Sequence, residues 1–131
     1  MTNEEWRLLL STARRLLGRG ANLSWESESW CAWTTFSSLE HELTYWARGL
    51  PEESELLEDQ TMDGGLWAQS FFYVDLAHLI IPRQFSWERF TDDGRFRQGT
   101  KHQSILRLSD ELNALRLQHR LTERVLEVKL F

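Results

Sequence analysis

The chain of 131 residues contains one cysteine and two prolines. Cys31 alone cannot form an internal disulfide, and a chain without cysteine pairs is expected in a reducing cytoplasm. The longest near-apolar run, Phe71 to Pro82, is interrupted by Asp75 and His78. It falls well short of the roughly 20 apolar residues that cross a bilayer, so no membrane span is expected. The N-terminal MTNEEWRLLL begins acidic and has neither a basic leader region nor a small-residue cleavage site, which argues against a secretory leader.

Complete catalytic, metal and nucleotide signatures are also missing. His41-Glu42 opens like a zinc-protease helix, but Tyr45 stands where the second histidine is required one turn later. Gly94 to Lys101, GRFRQGTK, has the glycine spacing of a phosphate-binding loop. Its Thr100-Lys101 order is reversed, which aims the amine and the hydroxyl at the wrong groups. The start of the following helix could still hold an anion through free amides, although an ordinary hairpin before a capped helix explains the segment as well. No cofactor or metal is expected.

Charge of one sign is unevenly spread. Residues 1–82 hold 5 basic and 13 acidic side chains, a balance of −8. Residues 83–131 hold 10 and 7, a balance of +3, and the whole chain carries −5. An acidic whole disfavours general nucleic-acid affinity and suits a partner with a basic surface. Solubility alone explains a modest negative charge equally well.

What the chain has in abundance is tryptophan, seven in all. Trp25, Trp30 and Trp33 fall within nine positions, accompanied by Glu26 and Glu28. Aromatic anchors dominate binding hot spots, so Trp25, Glu26 and Glu28 form the first candidate contact with a partner. Trp30 and Trp33 serve equally well as core plugs. Trp25, between polar neighbours, is the one expected to be exposed.

Helical spacing of Trp6, Leu9, Leu10, Ala13, Leu16 and Leu17 predicts a helix over 2–17, opened by a Thr2/Glu5 capping box and closed by Gly18 and Gly20. Residues 21–36 fit either a short hairpin or an ordered Trp-rich loop. Ser37 and Glu40 have capping-box spacing before a helix over 38–48, which Gly49 and Pro51 stop. A short acidic helix is expected at 52–59 and a loop at Asp63-Gly64-Gly65. Residues 69–81 read as a buried strand, since the residue before Pro82 prefers an extended backbone, with a buried helix as the alternative. Residues 84–98 read as a hairpin turning at Asp92-Asp93-Gly94. A helix over 102–117 follows, with Thr100 and Gln103 at capping spacing, and the chain ends in a strand at 125–131.

These elements predict a single α+β domain over 1–131, with about three main helices, about four short strands and a small, mostly antiparallel sheet. A chain of this size buries roughly 68–70% of its unfolded surface and needs no staples.

Two further constellations carry chemistry. Arg83, Arg89, Arg95, Arg97 and Lys101 interleave with Phe85, Trp87, Phe90 and Phe96. Cations alternating with aromatics are how single-stranded nucleic acid is gripped, so Arg89, Arg95, Arg97 and Lys101 form a candidate anion site. Glu88, Asp92 and Asp93 in the same stretch oppose that reading. Asp75 and His78 lie inside the apolar segment, where they could pair on a helix and would face apart on a strand. A satisfied polar pair competes there with an acid–base role, and Cys31 or Ser70 would have to be brought close to supply a nucleophile.

The reading that follows is a cytoplasmic protein-interaction module that binds and inhibits or regulates a partner protein, immunity- or inhibitor-like by analogy of class. Polyanion or single-stranded nucleic-acid binding through 83–101 is the first alternative, and a small enzyme using Asp75 and His78 the second.

Overall fold

The computed structural model describes residues 1–62 and 69–131. The expected loop at Asp63-Gly64-Gly65 lies outside the described residues. Helix α1 spans Asn3–Leu17 and starts where the sequence places it. Thr2 Oγ1 accepts the Glu5 N–H at 3.1 Å, and the Glu5 carboxylate accepts the Thr2 N–H at 3.0 Å. Two of the free amides at the helix start are thereby satisfied reciprocally. Glu4 and Glu5 in the first turn and Arg14 and Arg15 in the last match the helix dipole.

The main sheet has five strands. In chain order they are β1 (Cys31–Thr35), β2 (Trp46–Arg48), β5 (Leu76–Pro82), β8 (Arg120–Leu121) and β9 (Val125–Lys129). Their spatial order is β2-β1-β5-β9-β8, and every pairing is antiparallel. Residues directly opposite one another share a sheet face. One face therefore carries the row Trp46–Trp33–Leu79–Val128. With Ile81 and Leu126 it packs into one core with Trp6, Leu9, Leu10 and Ala13 of α1 and with Ile105, Leu108 and Leu112 of α3 (Ile105–Ala114). The opposite face carries Ala47–Ala32–Ile80–Glu127–Arg120, and beside it Thr34–His78–Lys129. Thr34 and His78 on this face are buried as well.

Two small antiparallel pairs complete the architecture. β3 (Gln60–Met62) pairs with β4 (Ser70–Phe72), and β6 (Gln84–Phe90) pairs with β7 (Phe96–His102). Among the described residues there are three helices and nine strands in three sheets, more strand than the single small sheet expected. The α+β class and the antiparallel pairing stand. No helix among the described residues is long and apolar enough to cross a membrane.

Several boundaries differ from the sequence reading, each for a local reason. The helix expected over 38–48 is α2 (Phe36–His41). Its cap is Thr35, which accepts the Ser38 N–H, not Ser37. Ser38 is buried, and its hydroxyl bonds both the N–H and the carbonyl of Thr44. A serine side chain competing for backbone groups in this way disfavours further helix. Leu43 takes a left-handed backbone, and Trp46 and Ala47 pair with β1 as strand. The acidic helix at 52–59 is only a 3-10 turn, Glu53–Glu55. The segment 69–81 is strand at both ends, β4 and β5, broken by a 3-10 turn at Tyr73–Asp75. The hairpin runs on to His102, so Thr100 belongs to β7 and does not cap α3. Gln103 is buried, and its side chain bonds the N–H and carbonyl of Trp30 and the carbonyl of Pro82.

Candidate interaction surface

Strand β5 leads through Arg83 directly into the β6–β7 hairpin, a ribbon whose two faces differ. Cross-strand register places Phe85 opposite Lys101, Trp87 opposite Gly99 and Arg89 opposite Arg97 on one face. Gln84 and His102, Ser86 and Thr100, Glu88 and Gln98, and finally Phe90 and Phe96 pair on the other.

The first face is anchored. Phe85 is buried and stacks on Trp30, ring centroids 5.8 Å apart. Gly99 lies under the Trp87 indole, and a Cβ there would fall 2.7 Å from Trp87 Nε1. An aromatic laid over a cross-strand glycine covers the backbone that the missing side chain exposes. The Arg89 guanidinium sits 4.1 Å from the centre of the Trp25 ring, a cation–π contact. The Lys101 ammonium, 6.0 Å from the Phe85 ring centre, donates to the carbonyls of Ser24 (3.3 Å), Trp25 (2.9 Å) and Ser27 (2.8 Å). Lys101 thus uses its three donors on the protein's own backbone.

The loop that receives Lys101 is tied down from its other side as well. Arg19 donates to the Glu26 carbonyl at 2.8 Å, and the Glu28 carboxylate accepts the Arg19 N–H at 3.2 Å. Buried Ser27 bonds the Ala21 N–H and the Ser29 carbonyl. Gly20 and Gly49 pass backbone against backbone here, with the Gly49 N–H on the Ala21 carbonyl at 2.9 Å. A Cβ on either glycine would overlap its neighbours.

The hairpin's far end is open. Phe90 and Phe96 face one another with centroids 5.4 Å apart and are 73 % and 48 % exposed. The turn between them is held by Gly94 at φ 78°, by the Thr91 N–H on the Arg95 carbonyl and by the Gly94 N–H on the Thr91 carbonyl, both 2.8 Å. The Asp93 carboxylate accepts from the Thr91 hydroxyl and the Arg95 N–H, and these bonds hold its pKa below the ordinary carboxylate value. Arg95 also pairs with Asp93 at 3.3 Å, and Arg97 is exposed.

The two candidate sites of the sequence meet at Arg89 and Lys101. Trp25, Glu26 and Glu28 lie on the loop against which Arg89 and Lys101 dock. Trp25 is half-buried beneath Arg89, whereas Glu26 and Glu28 are exposed. Arg95 and Arg97 remain at the tip beside the phenylalanine pair. The sequence names both rings and the turn between them, but not their pairing at an exposed tip, which rests on the register Phe90 opposite Phe96.

Asp75 and His78 are not brought together. Asp75 accepts the Ser37 N–H at 3.2 Å and lines a cleft of about 280 Å³ with His41 and Glu42. His78 lies on the sheet face away from the main core and bonds Tyr45 and Glu127. Cys31 belongs to the core face, and burial pushes its thiol up to about 12 against an opposing pull from Arg48, so it is not a nucleophile at neutral pH. Ser70 lies in β4, in a different sheet from His78. Among the described residues no three His, Cys, Asp or Glu side chains are grouped to hold a metal. Comparison of the chain with protein-family models, with curated proteins and with solved structures finds no match.

Proposed function

We propose that this protein is a cytoplasmic interaction module that binds and inhibits or regulates a partner protein, and that the tip of the β6–β7 hairpin is its anchor. One observation carries the reading. Phe90 and Phe96 form an exposed aromatic pair at the end of a ribbon whose base is fixed by Phe85, Trp87, Arg89 and Lys101. Rigid aromatic anchors lose little entropy on docking and dominate interface energies. Arg95 and Arg97 flank the pair, and the exposed carboxylates of Glu26 and Glu28 stand on the adjoining loop. The partner that fits presents an apolar slot for the two rings, with acidic groups for the arginines and a basic strip for the loop.

A second reading keeps its own observation. Arg89 and Arg97 sit directly opposite one another across the ribbon. Facing like charges are destabilising, which favours an anionic ligand that would relieve them. Single-stranded nucleic acid would then stack on the tip rings.

Affinity capture from the native host's lysate separates the two. The baits are wild type, Phe90→Ser/Phe96→Ser, Arg95→Ala/Arg97→Ala and Trp25→Ala/Glu26→Ala/Glu28→Ala. A single stoichiometric protein lost with the phenylalanine variant supports the module. Nucleic acid retained by wild type, released by salt and lost with the arginine variant replaces it with the second reading. A protein lost only with the loop variant moves the contact from the tip to Glu26 and Glu28.

A further inference from the structure

On the sheet face away from the main core, His78 is held between two side chains that polarise it. The Tyr45 hydroxyl lies 2.8 Å from Nδ1, and Glu127 Oε1 lies 3.0 Å from Nε2. As a carboxylate Glu127 accepts the Nε2–H, and in the neutral ring Nδ1 then presents its lone pair to the tyrosine hydroxyl. The second oxygen of Glu127 lies 3.9 Å from Nη1 of the exposed Arg120, a loose ion pair. The imidazole is buried and flanked edge-on by the Tyr45 ring at 5.7 Å and the Phe131 ring at 5.9 Å. Tyr45 itself is 44 % exposed. The order is therefore the hydroxyl of a partly exposed tyrosine, a base and an orienting carboxylate, the same sequence of roles as in a hydrolase triad.

We infer that Tyr45 is an activated nucleophile that accepts an acyl group from an ester or thioester. Tyr45 Oη forms the new bond to the acyl carbon, and the bond from that carbon to the leaving oxygen or sulfur breaks. The phenolic proton passes to His78 Nδ1 and from there to the leaving alkoxide or thiolate. The products are an O-acyl tyrosine and a free alcohol or thiol, with no oxidant or metal required. Glu127 is a positioning residue that sets the tautomer and stabilises the transient imidazolium against the neighbouring Lys129, whose Cα pairs with that of His78. The same sheet face carries the apolar row Ala47–Ala32–Ile80.

The chain supplies its own control. It has two tyrosines, and Tyr73 donates its hydroxyl to the Leu57 carbonyl, which cannot take the proton. Burial pushes the Tyr73 phenol up to about 12.

The test is reaction of the full chain with 4-nitrophenyl acetate at neutral pH, followed by the nitrophenolate burst and by peptide mass mapping. The expected result is one acetyl group on Tyr45 and none on Tyr73. General-base assistance contributes about 10²–10⁴-fold. Tyr45 should therefore react on the order of 10²-fold faster than N-acetyltyrosine amide under the same conditions. Tyr45→Phe should abolish the burst, and His78→Gln should slow it at least about tenfold. Because His78 is buried, Glu127→Gln is the second variant. It should slow acetylation and shift the His78 ring-nitrogen resonances toward mixed tautomers, while the melting midpoint confirms a folded chain. Acetylation of Tyr45 no faster than the free amide, or equal rates in folded wild type and Glu127→Gln, would overturn the assignment.

Discussion

The Arg89 guanidinium lies 4.1 Å above the Trp25 ring and so joins a loop and a hairpin that are 64 positions apart in the chain. The contact explains why Trp25, though surrounded by polar neighbours in sequence, is half-buried. A double-mutant cycle on Trp25→Ala and Arg89→Ala should return a coupling energy of about 0.5–1 kcal/mol, the range for a partly exposed cation–π pair. Denaturant unfolding measures it, and additive single effects would remove the contact from the account.

Lys101 should behave as a structural residue. Replacement by Met keeps the stem and removes three hydrogen bonds to the loop carbonyls. The expected cost is about 1–3 kcal/mol, because carbonyls that lose a charged donor must find water instead. Arg95→Ala/Arg97→Ala, at the exposed tip, should leave the unfolding midpoint almost unchanged. Thermal melts of both variants, side by side, make the distinction.

Gly49 is required by close approach. Its Cα region faces the Ser27 hydroxyl and the Gly20 backbone, neither of which can move without breaking the loop's hydrogen bonds. Gly49→Ala should destabilise by about 1–3 kcal/mol, the usual penalty for overpacking. Amide exchange should accelerate at Ala21 and Ser27 in that variant, and unchanged exchange there would show that the loop has room.

The Cys31 thiol gives a pH dependence with a definite sign. Its folded value is raised to about 12 from an ordinary 9.0 by burial, so the folded chain keeps a proton that the unfolded chain loses. Stability from this group is fully present below pH 9 and falls as the pH rises toward 12. Cys31→Ala should flatten that alkaline decline in melts between pH 8 and 11. At pH 8 the native thiol should react with an aromatic disulfide only as fast as the chain opens.

At the hairpin tip the sign is opposite. The hydrogen bonds from Thr91 and Arg95 lower the Asp93 value below 3.8. The turn therefore keeps this support above the ordinary carboxylate value and loses it as the pH falls through the depressed one. Asp93→Asn should remove the acid-sensitive step from the Arg95 amide shift, read by two-dimensional NMR.

The elements legible in the sequence were those where local chemistry and tertiary packing agree. Helix α1 announces itself through Thr2, Glu5 and its apolar stripe, and the hairpin through Asp92-Asp93-Gly94. The terminal strand does so through alternating Leu126 and Val128. The helix expected over 38–48 failed because Leu39, Leu43, Trp46 and Ala47 also suit a short helix followed by a strand. Buried Ser38 decides between them through Thr44, and burial cannot be seen in a single sequence. At the candidate site, composition singled out Trp25, Arg89 and Lys101 but separated them into opposing patches, whereas Arg89 and Lys101 dock on the Trp25 loop. Their union depends on Lys101 reaching three carbonyls, which leave no trace in residue type. His78 was legible as a buried polar group, but its partners came from Tyr45 and Glu127, 33 and 49 positions away.

The most direct test of the account is a photo-crosslinking residue placed at Phe96, with the same residue at Leu106 as control. Leu106 is 70 % exposed and apolar, and it lies on α3, outside the hairpin. Irradiation in host lysate should give one discrete protein adduct from position 96 and none from 106. Equal adducts from both positions, or none from position 96, would contradict docking through the hairpin tip.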